Sequence, residues 1–211
     1  MVIRNRSLKQ RAFTKNTHYF HSRKNNRFFW CETKLELDYC LYCEFDRAVL
    51  SYKTQPISFV YTRPDGSVGR YTPDMLVARG LTLEDLGFEE IKIERWTRHG
   101  RFKRAMSALR RHSLSRHSVP LNLVTDKSFR VGHRINNYEL LYGYRDINLQ
   151  TPDKQRFIKG LPPSLSFGDL KSEVEDAGFD PVIAWAIVAH QFYWFDETRK
   201  LTDLSPLEVQ Q

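Results

Sequence analysis

Along residues 87–94, Gly-Phe-Glu-Glu-Ile-Lys-Ile-Glu, apolar and charged positions alternate, and a period of two predicts a strand. Ile91 and Ile93 fall on one side, where a core can take them, and Glu90 and Lys92 fall on the other. Glu89 sorts with the isoleucines. Residues 70–77, Arg-Tyr-Thr-Pro-Asp-Met-Leu-Val, read as the preceding strand, with Pro73 at an edge or bulge. A bend at Pro64-Asp65-Gly66 and a loop over residues 80–87 separate the strands. Upstream, Leu35, Tyr39, Tyr42 and Ala48 recur near helical spacing and predict a helix packed on the sheet. Glu32 and Glu36, four apart, lie on one side of that helix. The stretch from Trp96 to His112 predicts another helix, with Phe102, Met106 and Leu109 on its buried side.

The pattern breaks between residues 150 and 163, where Thr151-Pro152 and Leu161-Pro162-Pro163-Ser164 interrupt regular structure. Three parts are therefore expected: a basic arm over 1–19, a main domain over 20–150 and a small domain over 151–211. In the last, Ser166 and Asp169 stand at capping-box spacing. Asp180-Pro181 opens a second helix. The apolar run 182–195 is a buried helix, too short to cross a bilayer and interrupted by His190 and Gln191. Residues 194–196 and 200–202 complete a short hairpin. Two helices and a hairpin look like a trimmed winged-helix module for protein or DNA contact.

Charge sharpens this division. The chain of 211 residues carries a formal charge of +8, which favours an anionic partner. Residues 1–31 hold eight Lys or Arg and no acid, and residues 92–117 hold nine against Glu94 alone. Residues 151–211 reverse the balance, with ten acids to six bases. Candidate phosphate contacts are Arg4, Arg6, Lys9 and Arg11 of the arm, Arg23 and Lys24 beyond it, and Arg101, Arg104 and Arg111 of the basic helix. Three cysteines, Cys31, Cys40 and Cys43, are too few for a closed zinc site and read as buried thiols of a reducing, cytoplasmic compartment. No apolar secretory segment follows the basic N-terminus.

The candidate chemistry lies where the two predicted strands meet. Asp74 and Glu90 supply carboxylates suited to a hard divalent cation, Mg²⁺ above all and Mn²⁺ as a substitute, and the Ile91 carbonyl offers a further oxygen. Lys92, beside them, suits a role in orienting water or stabilising charge on a phosphate in the transition state. An exposed cross-strand ion pair is the plain alternative for the same residues. From spacing alone either Glu32 or Glu36 could add a third acid.

The succession of Phe20-His21-Ser22-Arg23-Lys24, Thr33-Lys34-Leu35-Glu36, Glu44-Phe45-Asp46-Arg47, Gln55-Pro56-Ile57, Tyr71-Thr72-Pro73-Asp74, Glu90-Ile91-Lys92 and Leu121-Asn122-Leu123-Val124-Thr125-Asp126-Lys127 resembles the TnsA endonuclease subunit of Tn-seven-like heteromeric transposons, including those that carry CRISPR systems. Their nuclease belongs to the PD-(D/E)xK superfamily. The resemblance spans roughly residues 20–145. It departs where Ile91 and Ile93 stand in place of the family's usual valine and proline. It implies an α/β fold of restriction-endonuclease type, a mixed sheet flanked by helices, with catalytic Glu36, Asp74, Glu90 and Lys92. It selects Glu36 over Glu32 as the helix acid and implies a metal held by Glu36, Asp74, Glu90 and Ile91. The implied activity is cleavage of the non-transferred strands at transposon ends. The implied partners are end DNA, a DDE transposase of TnsB type and an AAA+ regulator of TnsC type.

Overall fold

Alternating apolar and polar residues at the start of the described chain fold back on themselves as a hairpin, β1 (His18–Ser22) and β2 (Arg27–Cys31). The computed structural model describes residues 17–209. Asn26 turns the hairpin at φ +47°, a left-handed position that asparagine tolerates. α1 (Lys34–Phe45) follows, its first turn closed by the Thr33 side chain, which accepts from the Glu36 N–H. Its buried side carries Tyr39, Cys40, Leu41, Cys43 and Phe45. The helix is shorter than expected: it stops at Phe45, and Ala48 is an exposed turn residue whose N–H is held by Asp46 Oδ1 at 2.9 Å.

β3 (Ser51–Thr54), β6 (Met75–Ala78), β7 (Leu86–Lys92) and β8 (Leu121–Thr125) form one sheet in the order β3-β6-β7-β8. The first two pairings are antiparallel and β7-β8 is parallel, so the sheet is mixed. A parallel pair needs a crossover, here α2 (Glu94–Thr97) and the long α3 (Gly100–His117). α3 sends Met106 and Leu109 into a core with Phe88, Leu121 and Phe59. Each such buried side chain contributes about 1.5–3 kcal/mol by leaving water. α1 covers the opposite face, where Tyr39 meets Glu89. α4 (Asp126–Phe129) ends this unit.

Between β3 and β6, β4 (Phe59–Thr62) and β5 (Val68–Tyr71) form a separate two-stranded hairpin around the Pro64–Gly66 bend. The single strand expected over 70–77 is therefore two strands in two sheets. Proline has no N–H for a ladder, so pairing lapses over residues 72–74 and resumes at Met75 with a new partner.

Residues 130–211 form the second compact unit. It runs α5 (Arg134–Tyr142), a 3₁₀ turn (Gly143–Asp146), α6 (Pro152–Gly160), β9 (Ser164–Ser166), α7 (Phe167–Asp176), α8 (Val182–Ala189), β10 (Tyr193–Trp194) and β11 (Pro206–Val209). The three strands form an antiparallel sheet with β11 in the middle. α7 begins with the expected box, Ser166 Oγ accepting from Asp169 N and the Asp169 carboxylate from Ser166 N.

Two expectations are corrected in this unit. The junction falls at residues 129/130 instead of 150, because α5 packs on α8 and is tied to the segment after β10. Asn137 makes that tie: its amide donates to the carbonyls of Glu197 and Arg199 at 2.8 and 2.7 Å and accepts from Leu201 N at 3.1 Å. The final hairpin pairs residues 193–194 with 208–209, since Asp196 spends its carboxylate on a local turn with Thr198. No helix among the described residues is long and apolar enough to cross a membrane.

Candidate active site

Asp74 sits in the gap that Pro73 opens, at the entrance to β6, and Glu90 and Lys92 end the neighbouring β7. Antiparallel pairing sets Met75 opposite Glu89, which brings Asp74 level with the Glu90–Lys92 end of the strand. Lys92 Nζ lies 2.7 Å from Glu90 Oε1, 3.2 Å from Asp74 Oδ2 and 3.1 Å from the Ile91 carbonyl oxygen. Asp74 Oδ2 also accepts from the Ile91 N–H at 2.7 Å. The other oxygen of Glu90 accepts from the Tyr71 hydroxyl. Glu89 faces away and pairs with Arg79 at 2.8 Å.

Electrostatics follow from this crowding. Burial, with Glu90 close by, pushes the Asp74 carboxyl up to about 7, although Lys92 works the other way. Burial also opposes charge on Lys92, but Asp74 and Glu90 outweigh it and hold the ammonium pKa above the ordinary lysine value. Burial and the Glu90 carboxylate raise the Tyr71 phenol, so it stays a protonated donor.

The helix acid is positioned differently. Glu36 occupies the third position of α1 and reaches back over the cap, accepting from Glu32 N at 2.8 Å and from the Thr33 hydroxyl at 3.1 Å. Burial raises its pKa against those hydrogen bonds, and it feels Lys92 and is felt by Asp74. Glu32 lies just before the helix, its carboxylate accepting from Gln55 Nε2 at 3.0 Å. Gln55 in turn donates its backbone N–H to the Asp74 carbonyl at 2.9 Å and holds φ at +45°. Gln55 and Tyr71 are thus part of the surround that fixes the acids. Alternation along a strand does not single them out, since Tyr71 reaches Glu90 from a separate sheet and Gln55 lies just past the end of β3.

The structure therefore brings Asp74, Glu90, Ile91 and Lys92 together and sets Glu36 apart at the helix cap. Among the described residues no group of three or more His, Cys, Asp or Glu side chains is gathered to hold a metal ion. What is gathered, two carboxylates and a carbonyl around the Lys92 ammonium, consists of oxygen donors of the type that Mg²⁺ accepts when water completes its shell. Asp74 and Glu90 fit that role directly, and a cation beside them would offset both the burial and the Glu90 repulsion that lift the Asp74 pKa.

The expected phosphate contacts divide. Arg101, Arg104 and Arg111 are exposed on α3, and Arg111 donates to Ser107 Oγ at 2.9 Å. Arg101 and Arg104 line a cleft of about 490 Å³ with Tyr61, Arg63, Pro64, Asp65 and Ala105. Lys24 is engaged elsewhere: its ammonium donates to the carbonyls of Cys43, Asp46 and Val49 past the end of α1, where a cation satisfies unpaired helix carbonyls. Its expected role as a phosphate contact is replaced by this structural one. Arg23 is half-buried. Arg4, Arg6, Lys9 and Arg11 lie outside the described residues. The three cysteines are free and buried, Cys31 and Cys40 with sulfurs 3.6 Å apart. Compared with protein-family models and with curated proteins, the chain matches none.

Proposed function

We propose that this protein is a metal-dependent DNA endonuclease of PD-(D/E)xK type, the TnsA-like subunit of a heteromeric transposase. The observation that carries the reading is the convergence of Asp74, Glu90 and the Ile91 carbonyl on Lys92 at the end of a mixed sheet. Asp74 and Glu90 would hold Mg²⁺, with Mn²⁺ able to substitute, and Glu36 would join them from its cap. Bound there, the cation would supply Lewis acidity toward the scissile phosphate and an activated water. Lys92 keeps its proton and places positive charge where charge develops on the phosphate. Tyr71 fixes one oxygen of Glu90, leaving the other turned toward Lys92. Arg101, Arg104 and Arg111 hold the DNA backbone and carry no sequence information.

In the second unit, the order from α6 onward, helix–strand–helix–helix–strand–strand, with the last strand between the other two, supports a winged-helix reading. Its α8 buries Ile183, Ala184, Ala186, Ile187, Val188 and Ala189, so little of that helix is left to read a groove. This supports contact with an AAA+ regulator over base recognition. End specificity then comes from the DDE transposase.

The test is strand-resolved cleavage of a labelled transposon-end duplex in Mg²⁺, with this protein alone and with its transposase and regulator. Expected is a partner-dependent nick on the non-transferred strand, lost in Asp74→Ala and in Lys92→Ala while circular dichroism shows both folded. Cutting without partners would point to an independent nuclease. Undiminished cutting by both variants would overturn the site.

A further inference from the structure

The β1–β2 hairpin has two unlike faces. Inward, Phe20, Ser22, Phe29 and Cys31 are buried. Outward, two cross-strand pairs, Tyr19 with Trp30 and His21 with Phe28, set four aromatic rings side by side. Tyr19 stacks on Phe28 with centroids 4.7 Å apart and planes 6° from parallel, Tyr19 meets Trp30 at 4.8 Å, and His21 meets Phe28 at 4.6 Å. Tyr19, Phe28 and Trp30 are 57%, 54% and 49% exposed. Single exposed apolar residues are ordinary on a protein surface, whereas a contiguous aromatic patch marks a binding surface. The cleavage chemistry uses none of these rings.

We propose that this face is a stacking platform for unpaired nucleobases of single-stranded DNA. It rests on the nuclease reading only in that the substrate is DNA. Charge selects the occupant: the hairpin lies in a segment, residues 1–31, with eight Lys or Arg and no acid. Within the described hairpin, Arg23, Lys24 and Arg27 are the charged side chains and no acid occurs between residues 17 and 31, so flat apolar rings on a cationic hairpin complement a polymer of flat bases on an anionic backbone. Arg27 is exposed at the start of β2, one residue before Phe28. β2 also runs within two residues into Thr33, the cap of the helix that carries Glu36. The platform and the helix acid thus stand on one continuous stretch of chain. Every base has a stacking face, so the contact is tolerant of sequence.

The test is fluorescence anisotropy of a labelled oligothymidylate and of a duplex of equal length, titrated with the full chain in EDTA. Tyr19→Ala/Trp30→Ala is compared with wild type and with Tyr19→Phe/Trp30→Phe. Expected is single-strand affinity lower by about tenfold or more in the alanine pair and kept by the phenylalanine pair, with duplex affinity unchanged. Single-strand affinity within about twofold of wild type in the alanine pair overturns the platform and leaves the face to a protein partner, and so does parallel weakening on both DNAs. Should the alanine pair fail to fold, Phe28→Ser on the same face is read in its place. Binding in EDTA is independent of cutting, so a failed platform leaves the effect of Asp74→Ala on cleavage intact, and the reverse holds.

Discussion

Asp74 is held in a place that does not suit its charge. Unfolded, its carboxyl ionises near 3.8; folded, burial and Glu90 push it up to about 7. Between those values the unfolded chain releases a proton that the native chain keeps, so this group's contribution to stability falls as pH rises from about 4 to about 7. Asp74→Asn removes the effect. The variant is expected to be more stable than wild type at pH 8, by on the order of 1–2 kcal/mol, with the gap closing below pH 4. Thermal unfolding of both proteins across that range checks it, and a constant gap would show that the carboxyl is not strained. Added Mg²⁺ should narrow the gap at pH 8 by stabilising the wild type. Strain of this kind is expected where side chains are arranged for chemistry in preference to stability.

At the scale of elements, single polar side chains join pieces that their sequences keep separate. Asn137 satisfies two carbonyls and one N–H of the segment at residues 197–201 while being almost fully buried. Asn137→Ala takes this partner from three backbone groups, the Leu201 N–H among them in a buried setting. The expected cost is about 2–4 kcal/mol, read as a lower urea midpoint for the second unit. Gln55 does similar work in the first unit by linking the end of β3 to the Asp74 carbonyl and to Glu32. Glu44 is its buried counterpart, accepting from Ser22, Tyr52 and the Lys24 N–H to fasten α1 to the first hairpin and β3.

For the whole molecule, the uneven charge is the property with a direct readout. Basic residues concentrate in 1–31 and 92–117 and acids in 151–211, so duplex binding is expected to depend steeply on salt through the first two regions. Arg101 and Arg104 line one cleft, and Arg111 lies further along the same helix. Replacing Arg101 and Arg104 by alanine should lower the slope of log affinity against log salt by about two and weaken all duplexes alike. An unchanged slope in a salt titration would remove these residues from the DNA contact. Stability should change little, since both side chains are exposed.

Sequence alone determined the features that depend on local geometry. Alternation over residues 87–94 separated Glu90 and Lys92 from Glu89 because a strand turns successive side chains to opposite faces. Helical spacing likewise put Met106 and Leu109 inside α3 and left its arginines outside. The Ser166–Asp169 box was legible because capping acts over three residues. The tertiary structure decided what depends on partners far along the chain. Pro73 signalled an interruption, but only the competing pairings with β4 and β3 made it a change of sheet. Lys24 looks like a phosphate contact in a basic run, yet the end of α1, some twenty residues on, claims its ammonium. The junction between the units moved to residue 130 because a buried amide binds α5 to chain sixty residues later. Such contacts leave no periodic trace, since hydrogen bonding and packing are settled by which surfaces meet after the chain has folded.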